Sequence, residues 1–248
     1  MPEHPIFAAV KDLDVEALRR ELAAGVDPDM YEDSRYFPGT PLMYAVSNHL
    51  GRQLRRSPEE RIRERLEIIS LLLEAGASVD QVGLIGQTPL HHAVVYDSQA
   101  YHAVIAALLE AGADPNFNTS EPGMARSVLA HAAKCGTTGA VRMLISAGAV
   151  DLDRALELAI ETGKQRNCTP LLRAGAAIPA TIEFDFTYYY WRRTVCAYLE
   201  KIRTAGCFEA YEKAHRQRLV KMFLPKFPAL PIEMLERVLE FTWDIGAH

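Results

Sequence analysis

The sequence predicts an all-α chain: a solenoid of about five helix–turn–helix repeats with finger loops, followed by a helical region that caps it. One observation is a pattern that recurs five times, an apolar pair or near-pair, a small residue, then Gly. It reads Leu22-Ala23-Ala24-Gly25, Leu72-Leu73-Glu74-Ala75-Gly76, Leu108-Leu109-Glu110-Ala111-Gly112, Leu144-Ile145-Ser146-Ala147-Gly148 and Leu171-Leu172-Arg173-Ala174-Gly175. The glycines stand 51, 36, 36 and 27 residues apart. Recurrence near about 33 residues with helical content is the signature of a stacked array. A second observation is the marker Thr-Pro-Leu, at Thr40-Pro41-Leu42 and Thr88-Pro89-Leu90. A third is the helical spacing of apolar residues beyond position 190, broken by Gly and Pro.

In chain order, Pro5-Ile6-Phe7-Ala8-Ala9-Val10 and Val15-Glu16-Ala17-Leu18 read as a starting repeat without the marker. In Thr40-Pro41-Leu42-Met43-Tyr44-Ala45 and Thr88-Pro89-Leu90-His91-His92-Ala93, Thr is an N-cap. Pro follows at the first helical position, where its missing N–H costs nothing. Leu90 and Ala93 start an apolar stripe, and His91 is placed to bridge backbone or Thr groups. A second helix ends in Ala-Gly, with Gly in the left-handed cap conformation. Asp114-Pro115-Asn116 turns the chain into a finger loop. Ser127-Val128-Leu129-Ala130-His131-Ala132 starts the next repeat. Leu156, Leu158, Ala159, Leu171 and Leu172 form a last one, whose short spacing leaves no room for a finger. Atypical end repeats are expected where a stacked core meets water.

The near-complete T-P-L-H-x-A string at 88–93, with Leu108-Leu109-Glu110-Ala111-Gly112-Ala113-Asp114-Pro115-Asn116, resembles the ankyrin repeat. The resemblance covers residues 4–178 and is densest over 40–149. It implies a non-catalytic module that binds other proteins through a concave face and finger tips. On the matching positions that surface is Ser47 and Asn48, then Leu84, Ile85, Gln87, Val95 and Tyr96, then Lys134 and Cys135. Leu84 and Ile85 lie between Gly83 and Gly86 in a loop, where two adjacent large apolar side chains are hard to bury; exposed apolar residues of this kind are hot-spot candidates.

The interval from Gly25 to Gly76 holds an insertion near 51–61. Ser57-Pro58-Glu59-Glu60 is a helix start with acids at the positive end of the dipole, so the second helix of that repeat is extended by about two turns and projects from the array. Arg52, Arg55, Arg56, Arg61, Arg63 and Arg65 with interleaved Glu59, Glu60, Glu64 and Glu67 read as a salt-laced solvated helix rather than a nucleic-acid patch.

Composition bounds the rest. The chain has 248 residues, 49% hydrophobic and 24% charged, an ordinary soluble balance. No apolar run approaches the roughly 20 residues of a membrane span, and Met1-Pro2-Glu3-His4 opens no secretory signal. Cys135, Cys168, Cys196 and Cys207 form no C-x-x-C pair and have no zinc-site spacing, which fits unpaired thiols in the cytoplasm or nucleus, with an organelle still open. His91 and His92 are adjacent on a helix and point about 100° apart, so they cannot chelate one ion. There is no Gly-rich phosphate loop, nucleophile elbow or acid/base set, and the expectation is no enzyme, no cofactor and no metal.

Residues 180–248 read as a basic extension. Ile182 to Thr187 alternates as a short extended segment; Val195, Tyr198, Leu199 and Ile202 predict a helix; Gly206 breaks it; Phe208, Tyr211, Leu219, Met222 and Phe223 predict another. Residues 187–228 carry nine Lys/Arg against three Glu within a chain of net charge −5. Such asymmetry points to a charged partner or to the two parts packing together. The basic residues beside Tyr188, Tyr189, Tyr190 and Trp191 allow RNA contact. The last helix has Ile232, Leu235, Val238 and Leu239 on one stripe. Leu230-Pro231-Ile232-Glu233-Met234-Leu235-Glu236-Arg237-Val238-Leu239 resembles the opening of an F-box. That resemblance implies a docking helix (Leu230, Pro231, Leu235, Val238, Leu239) for a ubiquitin-ligase adaptor; the alternative is a cap on the array.

Overall fold

The computed structural model describes residues 4–33, 38–47, 57–83, 86–96, 99–119, 127–179 and 190–226, with Pro231 and Met234. Among them it contains twelve α-helices and no strand, only the isolated bridges Glu32–Gly39 and Asn118–Ser127. The chain forms two compact units, Met1–Ala155 and Leu156–His248.

The first unit is four helix pairs: α1 (Pro5–Lys11) with α2 (Val15–Ala23), α3 (Pro41–Val46) with α4 (Pro58–Glu74), α5 (Pro89–Ala93) with α6 (Gln99–Glu110), and α7 (Val128–Cys135) with α8 (Thr138–Ser146). First helices pack on first helices, α1 on α3 on α5 on α7, and second helices on second helices, α2 on α4 on α6 on α8. The local chemistry is as the spelling requires. The Thr40 hydroxyl accepts from Met43 N at 3.4 Å and Ser127 Oγ from Ala130 N at 3.1 Å. The Thr88 hydroxyl caps α5, and His91 Nδ1 returns to Thr88, 2.9 Å from its Oγ1. Leu42, Leu90 and Leu129 are fully buried, as are Ile68, Leu72, Ile105, Leu108, Val141 and Leu144. Each such side chain contributes about 1.5–3 kcal/mol of burial, which is why these short helices hold together only as a stack. The repeat glycines adopt the left-handed conformation, φ 93° at Gly76 and 90° at Gly112, which a side chain rarely takes.

The turns form a ladder along the stack. The residue four places after each turn glycine binds backbone two places after the next one. Asp29 accepts from Ser78 N with both oxygens at 3.0 Å. Asp80 accepts from Asp114 N at 3.2 and 3.1 Å. Asn116 accepts from Val150 N at 3.0 Å and donates to Gly148 O at 3.1 Å. After Gly148 the equivalent place is Leu152, which has no acceptor and instead begins helix α9 (Leu152–Glu161).

The extended second helix is α4, with 17 residues against nine in α2 and in α8. Its start is a capping box: Ser57 Oγ accepts from Glu60 N at 3.2 Å, and Glu60 Oε2 accepts from Ser57 N at 2.9 Å. Its charges correct one expectation. Glu67 pairs with Arg19 of α2 at 2.8 Å, and Arg65 is 2% exposed, so α4 is not a uniformly solvated face. The Arg65 guanidinium donates to the carbonyls of Ala45 and Ser47 at the C-terminal end of α3. The negative pole of that helix and its orphan carbonyls supply a site for a cation.

In the second unit, α10 (Gln165–Arg173), α11 (Tyr190–Thr204) and α12 (Phe208–Phe223) are followed by a 3-10 turn at Leu224–Lys226. Thr169 and Tyr198 share a hydrogen bond of 3.1 Å, Arg173 and Glu212 an ion pair of 2.6 Å, and the Tyr198 and Tyr211 rings meet edge-on at 5.7 Å. The sequence places the domain boundary near 179; the compact units divide inside the fifth repeat, where α10 packs on α12. Gly206, φ 91°, separates α11 from α12 as expected. The extended segment at 182–187 and nearly all of the helix at 231–241 lie outside the described residues.

Candidate protein-binding surface

The site expected from sequence gathers the ends of the first helices. Val95 and Tyr96 follow α5, and Lys134 and Cys135 end α7. Alignment of Ala93 with Ala132 makes them equivalent positions in neighbouring repeats. Their proximity rests on Gly136. A Cβ there would fall inside the contact radius of the Val94 carbonyl oxygen and stand 2.9 Å from Ala132 O. Because Gly136 has none, the end of α7 closes onto the backbone just before Val95. Val95 is 36% exposed; Tyr96, Lys134 and Cys135 are half-buried. The result is an edge with an apolar side chain, an aromatic ring, a cation and a thiol.

Behind it lies a support. The Tyr96 ring sits on Tyr101 of α6 at 4.5 Å, and the Tyr101 ring lies 5.5 Å from the Arg65 guanidinium. Burial lowers the pKa of Arg65 and pushes that of the Tyr101 phenol up to about 12, so Tyr101 is neutral and its ring faces a cation. Its hydroxyl has no hydrogen-bond partner among the described residues. His131, half-buried on α7, has its pKa lowered by burial and then by Lys134, and its ring centre stands 6.2 Å from that of His91.

Two expected surface residues are inside instead. Ser47 is 0% exposed; its hydroxyl donates to Tyr44 O at 3.1 Å and its carbonyl receives Arg65 at 2.7 Å. Gln87 is 5% exposed, with its backbone carbonyl accepting from Gly83 N at 2.9 Å. A buried side chain offers nothing to a partner, so both leave the surface. For Ser47, repeat alignment could not show this, because the long α4 carries Arg65 over the end of α3. Asn48, Leu84 and Ile85 lie outside the described residues.

The structure adds two apolar residues in the finger loops, Tyr31 at 42% and Val82 at 38% exposed. Each stands six places after a repeat glycine, a signal that was present in the sequence. None of the four cysteines forms a disulfide among the described residues: Cys207 is exposed, Cys135 and Cys196 are half-exposed, and Cys168 is buried, its pKa pushed up to about 12. No group of His, Cys, Asp and Glu able to hold a metal occurs among the described residues, and no described helix is long and apolar enough to cross a membrane. The docking residues Leu230, Leu235, Val238 and Leu239 lie outside the described residues; Pro231 is exposed.

Helix pairs, cap chemistry and turn ladder together define a stacked helical-repeat interaction protein. The family model of the ankyrin repeat matches residues 39–84 and 85–120. Residues 39–120 are therefore ankyrin repeats, and such repeats are protein–protein interaction modules. No curated protein matches the chain.

Proposed function

We propose that the protein is a scaffold, assembly or adaptor subunit that binds a partner protein through the edge formed by Val95, Tyr96, Lys134 and Cys135 and through the finger residues Tyr31 and Val82. The observation that carries this reading is the pairing of exposed apolar side chains with a rigid support. Tyr96, Tyr101 and Arg65 link α4, the end of α5 and α6. A surface held this way loses little order on binding, so few contacts suffice for useful affinity. Four cysteines outside any disulfide among the described residues are consistent with a reducing compartment.

The test uses the full chain as bait beside a Val95→Asp/Lys134→Glu variant. Neither side chain is buried, so the variant should melt with the parent. Loss of the same specific partner from the variant supports the reading. Equal recovery of that partner by both baits sinks it, and binding then resides elsewhere on the chain.

A further inference from the structure

Helix α12 has its acids at its start and its cations along the rest of its length. From Lys213 to Lys226 there are five Lys/Arg residues, Lys213, Arg216, Arg218, Lys221 and Lys226, and no carboxylate. The acids of α12, Glu209 and Glu212, lie in its first turns, and Glu212 is already paired with Arg173 at 2.6 Å. None of the α12 residues is buried. The helix has two rows. One holds Phe208, Tyr211, His215, Leu219 and Phe223, all half-buried, with Tyr211 against Tyr198 of α11. The other is exposed: Glu209 at its start, then Ala210, Lys213, Ala214, Gln217, Arg218, Lys221 and Met222. Among the described residues no carboxylate pairs with Lys213, Arg218 or Lys221, and Lys226 lies 5.6 Å from the Phe223 ring centre.

From this we infer that the exposed row of α12 is a nucleic-acid surface that grips the phosphate backbone of single-stranded RNA. Lys213, Gln217 and Lys221 succeed one another every four residues, about 6 Å per step along the axis. They form a line of donors with Arg218 beside it and only short side chains, Ala210 and Ala214, between. A protein partner needs apolar or aromatic anchors at the centre of its contact, and the row offers only Met222. An anionic lipid surface attracts the same cations, but holding a helix firmly there needs an apolar face turned outward as well, and the apolar row of α12 carries the contact with α11. A polyanion needs neither; it needs unpaired cations in a line. The surface shares no residue with the repeat edge and implies that one chain brings together a ribonucleic acid and a protein partner.

The experiment is fluorescence anisotropy of a labelled twenty-uridine RNA with the full chain, titrated with salt. Three cationic contacts predict a slope near −2 in log affinity against log salt, about a 20-fold loss between 50 and 200 mM. Lys213→Gln/Arg218→Gln/Lys221→Gln, all exposed positions, should keep the thermal melt and lose the binding. A single Lys221→Gln variant should reduce affinity and flatten the slope by about one contact. The inference is overturned by no binding at 25 mM salt, by binding that survives the triple variant, by polyglutamate of equal charge binding as tightly, or by association only with phosphatidylserine vesicles. Because the repeat edge is untouched in these variants, their failure leaves the partner-binding reading standing.

Discussion

The Arg65 guanidinium of α4 and the Tyr101 ring of α6 stand 5.5 Å apart, with the cation donating to the Ala45 and Ser47 carbonyls and the phenol hydroxyl without a partner among the described residues. The two halves of this contact have opposite consequences. Arg65→Met keeps the volume but leaves two carbonyls at the end of α3 without their donor. It is expected to cost about 2–4 kcal/mol in denaturant unfolding. Tyr101→Phe keeps the ring over the cation and removes a hydroxyl that was desolvated for nothing. It is expected to be neutral or stabilising by up to about 1 kcal/mol. If Tyr101→Phe costs as much as Arg65→Met, the hydroxyl has a partner and the description of this contact fails.

Gly136 has an ordinary negative φ, so its role is space. Gly136→Ala drives a methyl into the Val94 carbonyl and the end of α7. Neither is the flexible tip of a side chain, so backbone has to move. A loss of about 1–3 kcal/mol is expected, together with weaker partner binding, since Val95 and Lys134 part. An unchanged melting temperature would contradict the close approach.

The ladder places Asp80 and Asn116 at equivalent positions, and only the first carries charge. The Asp80 pKa is raised, by desolvation first and by the charge of Asp114, with the Asp114 amide opposing. A raised folded-state pKa means that ionisation works against the fold. Asp80→Asn retains an oxygen acceptor, as Asn116 does, and removes the charge. At pH 7 it should stabilise slightly, within about 0.5 kcal/mol. The gain should vanish as pH falls through the carboxylate range, where Asp80 in the parent is protonated too. A destabilised variant at pH 7 would show that the charge itself strengthens the rung.

His131 has the opposite linkage. Its pKa is depressed by burial and by Lys134. The unfolded chain therefore takes up a proton near its ordinary pKa of about 6.5 before the folded chain does. Stability from this group is present above that pH and lost as pH falls through its folded pKa. Unfolding free energies measured between pH 7.5 and 5 should decline, and His131→Leu should flatten the decline. An identical slope in parent and variant would remove His131 as the cause.

Much of the fold was legible because its determinants are local. The caps at Thr40, Thr88 and Ser127, the left-handed glycines and the capping box at Ser57 each act within a few residues, and their spacing fixes the helix pairs. Gly206 likewise divided α11 from α12. The candidate surface was legible in part. Val95, Tyr96, Lys134 and Cys135 came from repeat register, because a regular stack exposes the same positions in each repeat.

What the sequence by itself determined, then, is an all-α array of ankyrin repeats, since period and caps depend on near neighbours in the chain. Only the tertiary structure decided what happens where one repeat departs from the pattern. Arg65 looked like one more charge on a solvated helix, yet α4 carries it onto the carbonyls of α3, buries Ser47 beneath it and sets Tyr101 over it. Whether a charge is solvated or buried depends on which dipoles and rings lie across the gap. Those come from residues 18 to 36 positions away, which no local pattern encodes.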